Sequence, residues 1–392
     1  MFSQNNKTIP VLLLTGYLGS GKTTLVNRIL SNKRGIKFAV IVNDIGEVNI
    51  DADLIEKGGV VGKKDDSLLA LQNGCICCTL KADLIEQLKE ITAQNRFDYI
   101  VIEASGICEP EPIAQTICSI PMLEPQYSER TFPRLDCIVT VVDALRMQSE
   151  FNCGDTLPLR NFDEEDLENL VIQQIEFCNI IILNKASEVK PEELARIKTI
   201  VHTLQPKAEI LTSDFGDVDL DKLLNTGLFN FDKTATSAAW ISEIEGHHEE
   251  ENEEEHHHEH HHEHEGGEVE EYGIGTFVYY RRPAFDINKF DAFVAKRWPK
   301  NIIRAKGICY FNDEKNKCYL FEQAGIQKTI KDAGLWFANL PQWQLEEMMA
   351  KDSNLKRDWD DKYGDRMIKI VFIGQHLDKD KLSKELDNCL ES

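Results

Sequence analysis

One glycine-rich segment constrains the fold of this chain more than any other feature of its sequence. The segment reads Gly16-Tyr-Leu-Gly19-Ser-Gly21-Lys22-Thr23, follows the apolar run Val11–Leu14, and matches G-x-x-x-x-G-K-[ST] at every defined position. In such a loop the backbone N–H groups surround a phosphate, the lysine supplies a positive charge, and the threonine hydroxyl can bind Mg²⁺. We therefore predict a nucleoside triphosphate site that uses Gly16, Gly19, Ser20, Gly21, Lys22, Thr23 and Thr24.

Short apolar runs alternate with polar or amphipathic stretches through the first part of the chain. After Val11–Leu14, these runs are Phe38–Val42, Tyr99–Ile102, Cys137–Val142, Asn179–Leu183 and Glu209–Leu211. Such alternation is typical of a mainly parallel sheet covered by helices, which binds ligands at the carboxyl ends of its strands. The predicted fold class is therefore α/β, a P-loop nucleotide-binding domain with a mainly parallel sheet, followed by a smaller C-terminal α+β domain.

Changes in composition predict the limits of the domains. Residues 1–239 form the predicted nucleotide-binding domain, residues 240–272 a Glu- and His-rich linker that we expect to be disordered, and residues 273–392 the second domain. In the second domain, apolar and amphipathic patterns predict three strands and two helices: Ile274–Tyr280, Lys317–Gln323 and Ile368–Gly374, and Ile287–Arg297 and Lys379–Leu390.

The negative charge of the chain is concentrated in the linker. The 392 residues include 44 Lys or Arg and 67 Asp or Glu, and 14 of the glutamates lie in Glu243–Glu271, which has no basic residue. The net charge is −23, so the rest of the chain carries only −9. Phosphate neutralisation needs clustered basic side chains, and we therefore expect neither nucleic acid nor an anionic membrane surface as a partner.

The sequence shows no targeting or membrane-spanning pattern. Met1–Pro10 contains one lysine and leads into a short apolar run without a small-residue cleavage site, and no stretch approaches the ~18 apolar residues of a spanning helix. We expect a cytoplasmic protein, in which the 11 cysteines would be mostly reduced.

An acidic residue, Glu103, follows the predicted strand that ends at Ile102. P-loop proteins use an acid in this place to bind Mg²⁺ or to orient the attacking water. The segment continues as Glu103-Ala-Ser-Gly106, and the N–H of Gly106 is expected to meet the γ-phosphate. We predict Lys22, Thr23 and Glu103 as catalytic residues, with Thr23 and Glu103 also binding Mg²⁺.

The segment Asn184-Lys185-Ala-Ser187 is predicted to recognise the base. Guanine-binding proteins normally carry N-K-x-D here, because a carboxylate accepts hydrogen bonds from N1–H and the exocyclic amine of guanine. This chain has Ser187 in place of the acid, followed by Glu188. A hydroxyl both donates and accepts, so we expect GTP preference with reduced selectivity, unless Glu188 supplies the carboxylate.

Three cysteines within four residues, Cys75, Cys77 and Cys78, predict a transition-metal site. Thiolates suit Zn²⁺ or Cu⁺, and because zinc prefers four ligands, three sulfurs leave a position through which metal can be loaded and released. The alternatives are packing cysteines or a redox pair. The remaining cysteines are expected to pack as small hydrophobic residues: Cys108, Cys118, Cys137, Cys153, Cys178, Cys309, Cys318 and Cys389.

Nine of the 11 histidines lie in the linker, among the glutamates. Largely neutral imidazoles could collect Zn²⁺ or Ni²⁺ at several weak auxiliary sites. The alternative is a solvated acidic linker in which the histidines have no function. The residues concerned are His247, His248, His256, His257, His258, His260, His261, His262 and His264.

Together these motifs resemble those of the CobW-like P-loop GTPase metallochaperones, relatives of UreG and HypB. The resemblance extends over essentially the whole chain, and a His-rich insert between the domains is common in that family. It rests on the Gly16–Thr23 loop, Gly74-Cys75-Ile-Cys77-Cys78, Glu103–Gly106 with Glu109-Pro110, Asn184-Lys185 and Phe372-Ile-Gly374-Gln-His376-Leu-Asp378.

The resemblance implies a GTPase, with GTP and Mg²⁺ as cofactors, whose nucleotide state controls a metal held by the cysteine motif. The metal would be Zn²⁺, or the related Co²⁺ or Ni²⁺, and it would be delivered to a client metalloenzyme; a homodimer is left open. Where the family usually has Asn-Glu-Phe-Gly-Glu, this chain has Asn43-Asp44-Ile-Gly46-Glu47, which implies Asp44 and Glu47 near the nucleotide or metal.

Two other functions are compatible with the same motifs. One is a passive metal buffer or sensor in which the nucleotide site only stabilises the fold. The other is a P-loop small-molecule kinase or ATPase. Glu103 and Asn184-Lys185 disfavour the buffer, and a cysteine cluster without an evident acceptor site disfavours the kinase.

Overall fold

The computed structural model describes residues 8–31, 35–42, 68–72, 81–123, 131–150, 165–235, 273–324, 327–351, 355–356 and 359–391. These residues fall into two compact units. The first contains the described residues of 1–150 and 170–238, and the second contains those of 151–169 and 239–392.

In the described part of the first unit, seven parallel strands form one sheet. They are β1 (Thr8–Thr15), β2 (Phe38–Val42), β3 (Leu68–Gln72), β4 (Tyr99–Glu103), β5 (Phe132–Asp143), β6 (Ile180–Asn184) and β7 (Glu209–Thr212). Their spatial order is β3-β2-β4-β1-β5-β6-β7. Because all pairs are parallel, the carboxyl ends of the strands share one edge, which confirms the predicted fold class.

The predicted strands other than the edge strand β7, which is only partly buried, are present because their apolar runs are buried on both faces. Val11 to Leu14 in β1 and Ile180 to Leu183 in β6 are fully buried. A parallel sheet covered on both sides requires continuous apolar runs of this kind. The described helices that lie wholly or partly in the first unit are α1 (Lys22–Leu30), α2 (Lys81–Ala93), α3 (Pro110–Leu123), α4 (Ala144–Glu150), α5 (Glu165–Glu176, in this unit from Leu170 onward), α6 (Pro191–Leu204) and α7 (Phe231–Ala235).

The second unit contains an antiparallel sheet of five described strands. Its core is aromatic, and Phe290 and Phe293 of one helix pack with Phe321 and Phe372 of the sheet. The strands are β8 (Ile274–Arg281), β9 (Ile302–Cys309), β10 (Lys317–Ala324), β11 (Gln327–Leu335) and β12 (Ile368–Gln375), and the helices are α8 (Ile287–Lys296), α9 (Gln342–Lys351) and α10 (Lys379–Asp387). The spatial order of the strands is β11-β10-β9-β12-β8.

The sequence patterns did not predict three strands, β3, β9 and β11. Strand β3 reads Leu-Leu-Ala-Leu-Gln, a short apolar run without β-branched residues that is equally compatible with a helix.

Within the described ranges, no helix is long and apolar enough to cross a membrane.

Candidate nucleotide-binding site

The phosphate loop needs glycine at two positions because other parts of the chain pass close to its backbone. Gly16 has φ 135°, and a Cβ atom there would lie 2.3 Å from the carbonyl oxygen of Val141. Gly21 has φ 107°, and a Cβ atom there would lie 2.3 Å from Nδ2 of Asn184. The loop is therefore fitted against β5 and the end of β6 at the carboxyl edge of the sheet.

Lys22 is held inside this loop. Its Nζ donates to the carbonyl oxygens of Gly16, at 2.9 Å, and Tyr17, at 3.2 Å. Lys22 is also the first residue of α1, and Thr23 and Thr24 follow it in the first turn of that helix. The cation and the helix N-terminus thus lie together, which is the arrangement that binds phosphate.

A hydroxyl and a buried carboxylate meet beside the loop. Thr23 Oγ1 donates to Glu103 Oε1 at 2.8 Å, and Glu103 is only 1% exposed. Glu103 is the last residue of β4, in register with Leu14 of β1, so the strand pairing itself brings the acid to the loop. Mg²⁺ prefers oxygen ligands such as hydroxyl and carboxylate groups, and this pair of side chains therefore fits a magnesium ion.

Gly106 packs directly against the phosphate loop. A Cβ atom at this position would lie 2.6 Å from Cδ2 of Leu18 and 2.7 Å from the backbone nitrogen of Leu18. The carbonyl oxygen of Gly106 accepts a hydrogen bond from Gln174 Nε2 at 3.3 Å. The structure thus brings Glu103 and Gly106 to the loop, while the proposed contact of the Gly106 N–H with phosphate stays a prediction.

Asn184 joins three loops at the edge of the sheet. Its Nδ2 donates to the carbonyl oxygen of Ser20 at 2.8 Å, and its Oδ1 accepts from the N–H of Gly216 at 3.1 Å. The next residue, Lys185, has a left-handed backbone with φ 58°, and its Nζ donates to Asp143 Oδ2. Asn184 and Lys185 are therefore positioned by the phosphate loop and by β5.

Ser187 also has an acidic partner. Its backbone N–H and its hydroxyl both donate to Asp214 Oδ1, at 3.0 and 2.9 Å. Sequence reasoning missed Asp214 and the pairing role of Asp143. The available signal was that each lies at or just beyond the carboxyl end of a predicted strand, where site residues collect.

The predicted metal ligands lie outside the described residues. This applies to Asp44 and Glu47, to Cys75, Cys77 and Cys78, and to the nine histidines between His247 and His264. In the part of the chain that the structure describes, no group of three or more His, Cys, Asp or Glu side chains could hold a metal ion.

The described cysteines outside the triple motif are free thiols. Burial raises the pKa of Cys137 and of Cys178 to about 12, which keeps both thiols protonated at neutral pH. This agrees with the expectation that these two residues pack as small hydrophobic side chains. Cys153 lies outside the described residues.

The parallel sheet, the glycine loop at its carboxyl edge and the adjacent buried acid define the first unit as a P-loop nucleotide-binding domain. Residues 10–212 match the family model described as "CobW/HypB/UreG, nucleotide-binding domain", and residues 274–390 match the "Cobalamin synthesis protein cobW C-terminal domain". The chain belongs to the CobW/HypB/UreG family, and the resemblance inferred from its motifs is confirmed.

Similar proteins include a "Zinc-regulated GTPase metalloprotein activator 1" from Dictyostelium discoideum, which is 34% identical over 97% of this chain and 80% of the relative. The "Zinc chaperone YjiA" of Escherichia coli is 34% identical over 58% of this chain and 65% of the relative. A crystal structure of Zn(II)-bound YjiA GTPase from E. coli aligns with a TM-score of 0.40 and 20% identity, covering 99% of this chain and 100% of that chain.

Proposed function

We propose that this chain is a GTP-hydrolysing metallochaperone that binds Zn²⁺ and transfers it to a client metalloprotein. The observation that carries the proposal is the 2.8 Å contact of Thr23 with Glu103, because it puts a buried carboxylate beside the phosphate loop of a CobW/HypB/UreG family member. The enzyme class is a GTPase, the class named for the D. discoideum relative.

The residues of the phosphate loop account for nucleotide binding. The N–H groups from Gly19 to Thr23 would hold the phosphates at the N-terminus of α1. Lys22 would exchange two carbonyl oxygens for phosphate oxygens, because a charged acceptor makes the stronger hydrogen bond. When bound by Thr23 and Glu103, Mg²⁺ would neutralise charge on the phosphates.

The cargo is proposed to be Zn²⁺, held by Cys75, Cys77 and Cys78. Support comes from the soft thiolate ligands and from two relatives whose names include zinc. Asp44 and Glu47 are proposed to act between nucleotide and metal, and the histidines of the linker as auxiliary ligands. The domain limits 1–239, 240–272 and 273–392 are part of the same proposal.

GTP and ATP turnover of the full chain tests the enzymatic part of this function. We expect Lys22→Ala to reduce GTP turnover by about 100-fold or more, because it removes the cation that stabilises phosphate charge. Lys207→Ala is the matched control, since Lys207 is exposed and precedes the amino end of β7, away from the site. Parental turnover in Lys22→Ala would refute the assignment, and faster turnover of ATP would favour the kinase or ATPase.

Glu103→Gln separates the two roles of the carboxylate in the same assay. If Glu103 orients the attacking water, the variant should bind GTP with nearly parental affinity while its turnover falls. If Glu103 chiefly binds Mg²⁺, affinity and turnover should fall together. If the variant kept both the GTP affinity and the turnover of the parental chain, Glu103 would have no role in the site.

A further inference from the structure

We propose that Asp214, not a residue of the Asn184–Ser187 segment, supplies the carboxylate that recognises guanine. This inference rests on the proposed GTPase function and names the residue that determines its base specificity. It concerns the turn after β7, which contains Asp214, Phe215 and Gly216.

The hydrogen bonds of Ser187 locate the acid. Ser187 occupies the position at which an N-K-x-D segment carries its aspartate, and two donors of Ser187 converge on Asp214 Oδ1 at 2.9 and 3.0 Å. A carboxylate therefore lies within hydrogen-bond distance of the place where the motif's own acid is missing. Among the described residues, both of these bonds go to Oδ1, which leaves Oδ2 of Asp214 to accept from a ligand.

Backbone hydrogen bonds fix the two loops to each other. The N–H of Ala186 donates to the carbonyl oxygen of Ser213 at 3.1 Å, and the N–H of Ser213 donates to that of Leu183 at 2.9 Å. Asn184 extends the connection, because it bonds both Gly216 and Ser20. The position of Asp214 is thereby fixed relative to the phosphate loop as well as to Ser187.

The backbone of the turn is held in an uncommon conformation. Phe215 and Gly216 have consecutive left-handed values of φ, 55° and 66°. A bulky residue in this region is unfavourable and persists only where neighbours hold it. Arg28 does so, because its Nε donates to the carbonyl oxygen of Phe215 at 2.8 Å and its Nη1 pairs with Asp217 at 2.9 Å.

The chemistry of a carboxylate at this place selects guanine over adenine. Guanine presents two donors on one edge, N1–H and the exocyclic amine, whereas adenine presents an acceptor at N1. A carboxylate only accepts hydrogen bonds, so it matches the first base and repels the second. Ser187 then acts as a positioning residue, because its two donors orient the carboxylate.

Asp214→Asn tests the proposal through an exchange of base preference. Xanthine has a carbonyl group where guanine has the exocyclic amine, and an amide side chain can donate to it. In competition against fluorescent GDP on the full chain, we expect Asp214→Asn to weaken the binding of GTP by about 10- to 100-fold and to strengthen the binding of xanthosine triphosphate. Ser187→Ala should weaken GTP less and should not improve binding of xanthosine triphosphate.

Two control variants separate recognition from folding. Glu192→Gln changes an exposed acid in the first turn of α6, outside the contacts that hold Asp214, and should leave base preference unchanged. Equal weakening of both nucleotides in Asp214→Asn would overturn the proposal, since it would show a structural role only. An exchange of preference in Glu188→Gln, with none in Asp214→Asn, would assign recognition to Glu188 instead.

The parental chain distinguishes this inference from the proposed function. If the parental chain hydrolyses GTP and Asp214→Asn keeps the parental base preference, only the assignment of Asp214 is wrong. If the parental chain neither binds nor hydrolyses GTP, both proposals are wrong.

Discussion

Substitution of Gly106 by alanine, which adds one methyl group, tests how tightly this residue packs against the phosphate loop. Gly106→Ala would place Cβ 2.7 Å from the backbone nitrogen of Leu18, so the phosphate loop has to shift. We expect a loss of about 1–3 kcal/mol in stability, together with weaker binding of GTP. Thermal unfolding and nucleotide affinity measure the two effects.

Gly275→Ala is the matched control for this substitution. Gly275 lies in β8, and among the described residues a Cβ atom there would meet no heavy atom within 4 Å beyond its own chain neighbours. The same chemical change should therefore leave nucleotide affinity unchanged. If Gly106→Ala bound GTP as tightly as Gly275→Ala, contact between Gly106 and the loop would have no role in nucleotide binding.

The residues that the fold brings to the site differ in how readily they can be predicted from the sequence. Lys22 and Thr23 could be predicted because their positions follow from a contiguous motif. Glu103 could be predicted because it follows a buried run and strand ends meet at one edge. Asp214 also lies just beyond the end of a predicted strand, but its role could not be predicted, because its contact with Ser187 depends on the pairing of β6 with β7 and the two residues are 27 positions apart in the chain.

Strand β10 contains a buried acid, Glu322, that responds to pH. Its carboxylate lies 2.8 Å from Lys306 and 2.9 Å from Lys331, and 3.6 Å from Arg304. Burial raises the pKa of Glu322, but these cations outweigh burial and lower it to about 2. Because the pKa is lowered in the folded state, the ionised carboxylate stabilises the fold at pH values above the ordinary glutamate pKa of 4.5. This stabilisation is lost as the pH falls toward 2.

Glu322→Gln should therefore reduce the stability of the folded state most at neutral pH. We expect the variant to be less stable by about 3 kcal/mol at pH 7, and the difference to shrink by on the order of 2 kcal/mol between pH 5 and pH 2. Urea unfolding followed by tryptophan fluorescence reports on this unit, because four of the five tryptophans lie after residue 273. A pH-independent difference, or the same profile in the exposed control Glu346→Gln, would contradict the role of Glu322.

Buried charges also explain why one strand was not predicted and why another was predicted too short. Strand β9 carries Arg304, which is fully buried, and Lys306, so its apolar alternation is interrupted by charges that only the fold can pair. In β5, Asp136 is fully buried and accepts from Tyr99 Oη at 2.7 Å and the N–H of Gly227 at 2.8 Å. The predicted run therefore began only at Cys137, whereas the strand begins at Phe132.

The order of the strands places Gln72, the last described residue before the cysteine segment, at the edge of the sheet that holds the nucleotide site. Gln72, the last residue of β3, is in register with Val42 of β2, and Val42 is in register with Glu103. Two strand spacings, about 10 Å, therefore separate Gln72 from Glu103. Cys75 follows Gln72 by three residues, a reach of at most about 11 Å, so the chain can bring the cysteines close to Glu103.

A cysteine segment within reach of the nucleotide site predicts that zinc and GTP binding are coupled. We expect the full chain to bind Zn²⁺ about 10-fold more tightly with a non-hydrolysable GTP analogue than with GDP, within the range usual for coupled sites. Linkage requires zinc to tighten binding of the analogue by the same factor, so measuring both affinities provides an internal check. Cys77→Ala should abolish the coupling, whereas Cys118→Ala, which changes a half-buried thiol in α3, should preserve it. Equal zinc affinity in the two nucleotide states would mean that hydrolysis does not control release of the metal.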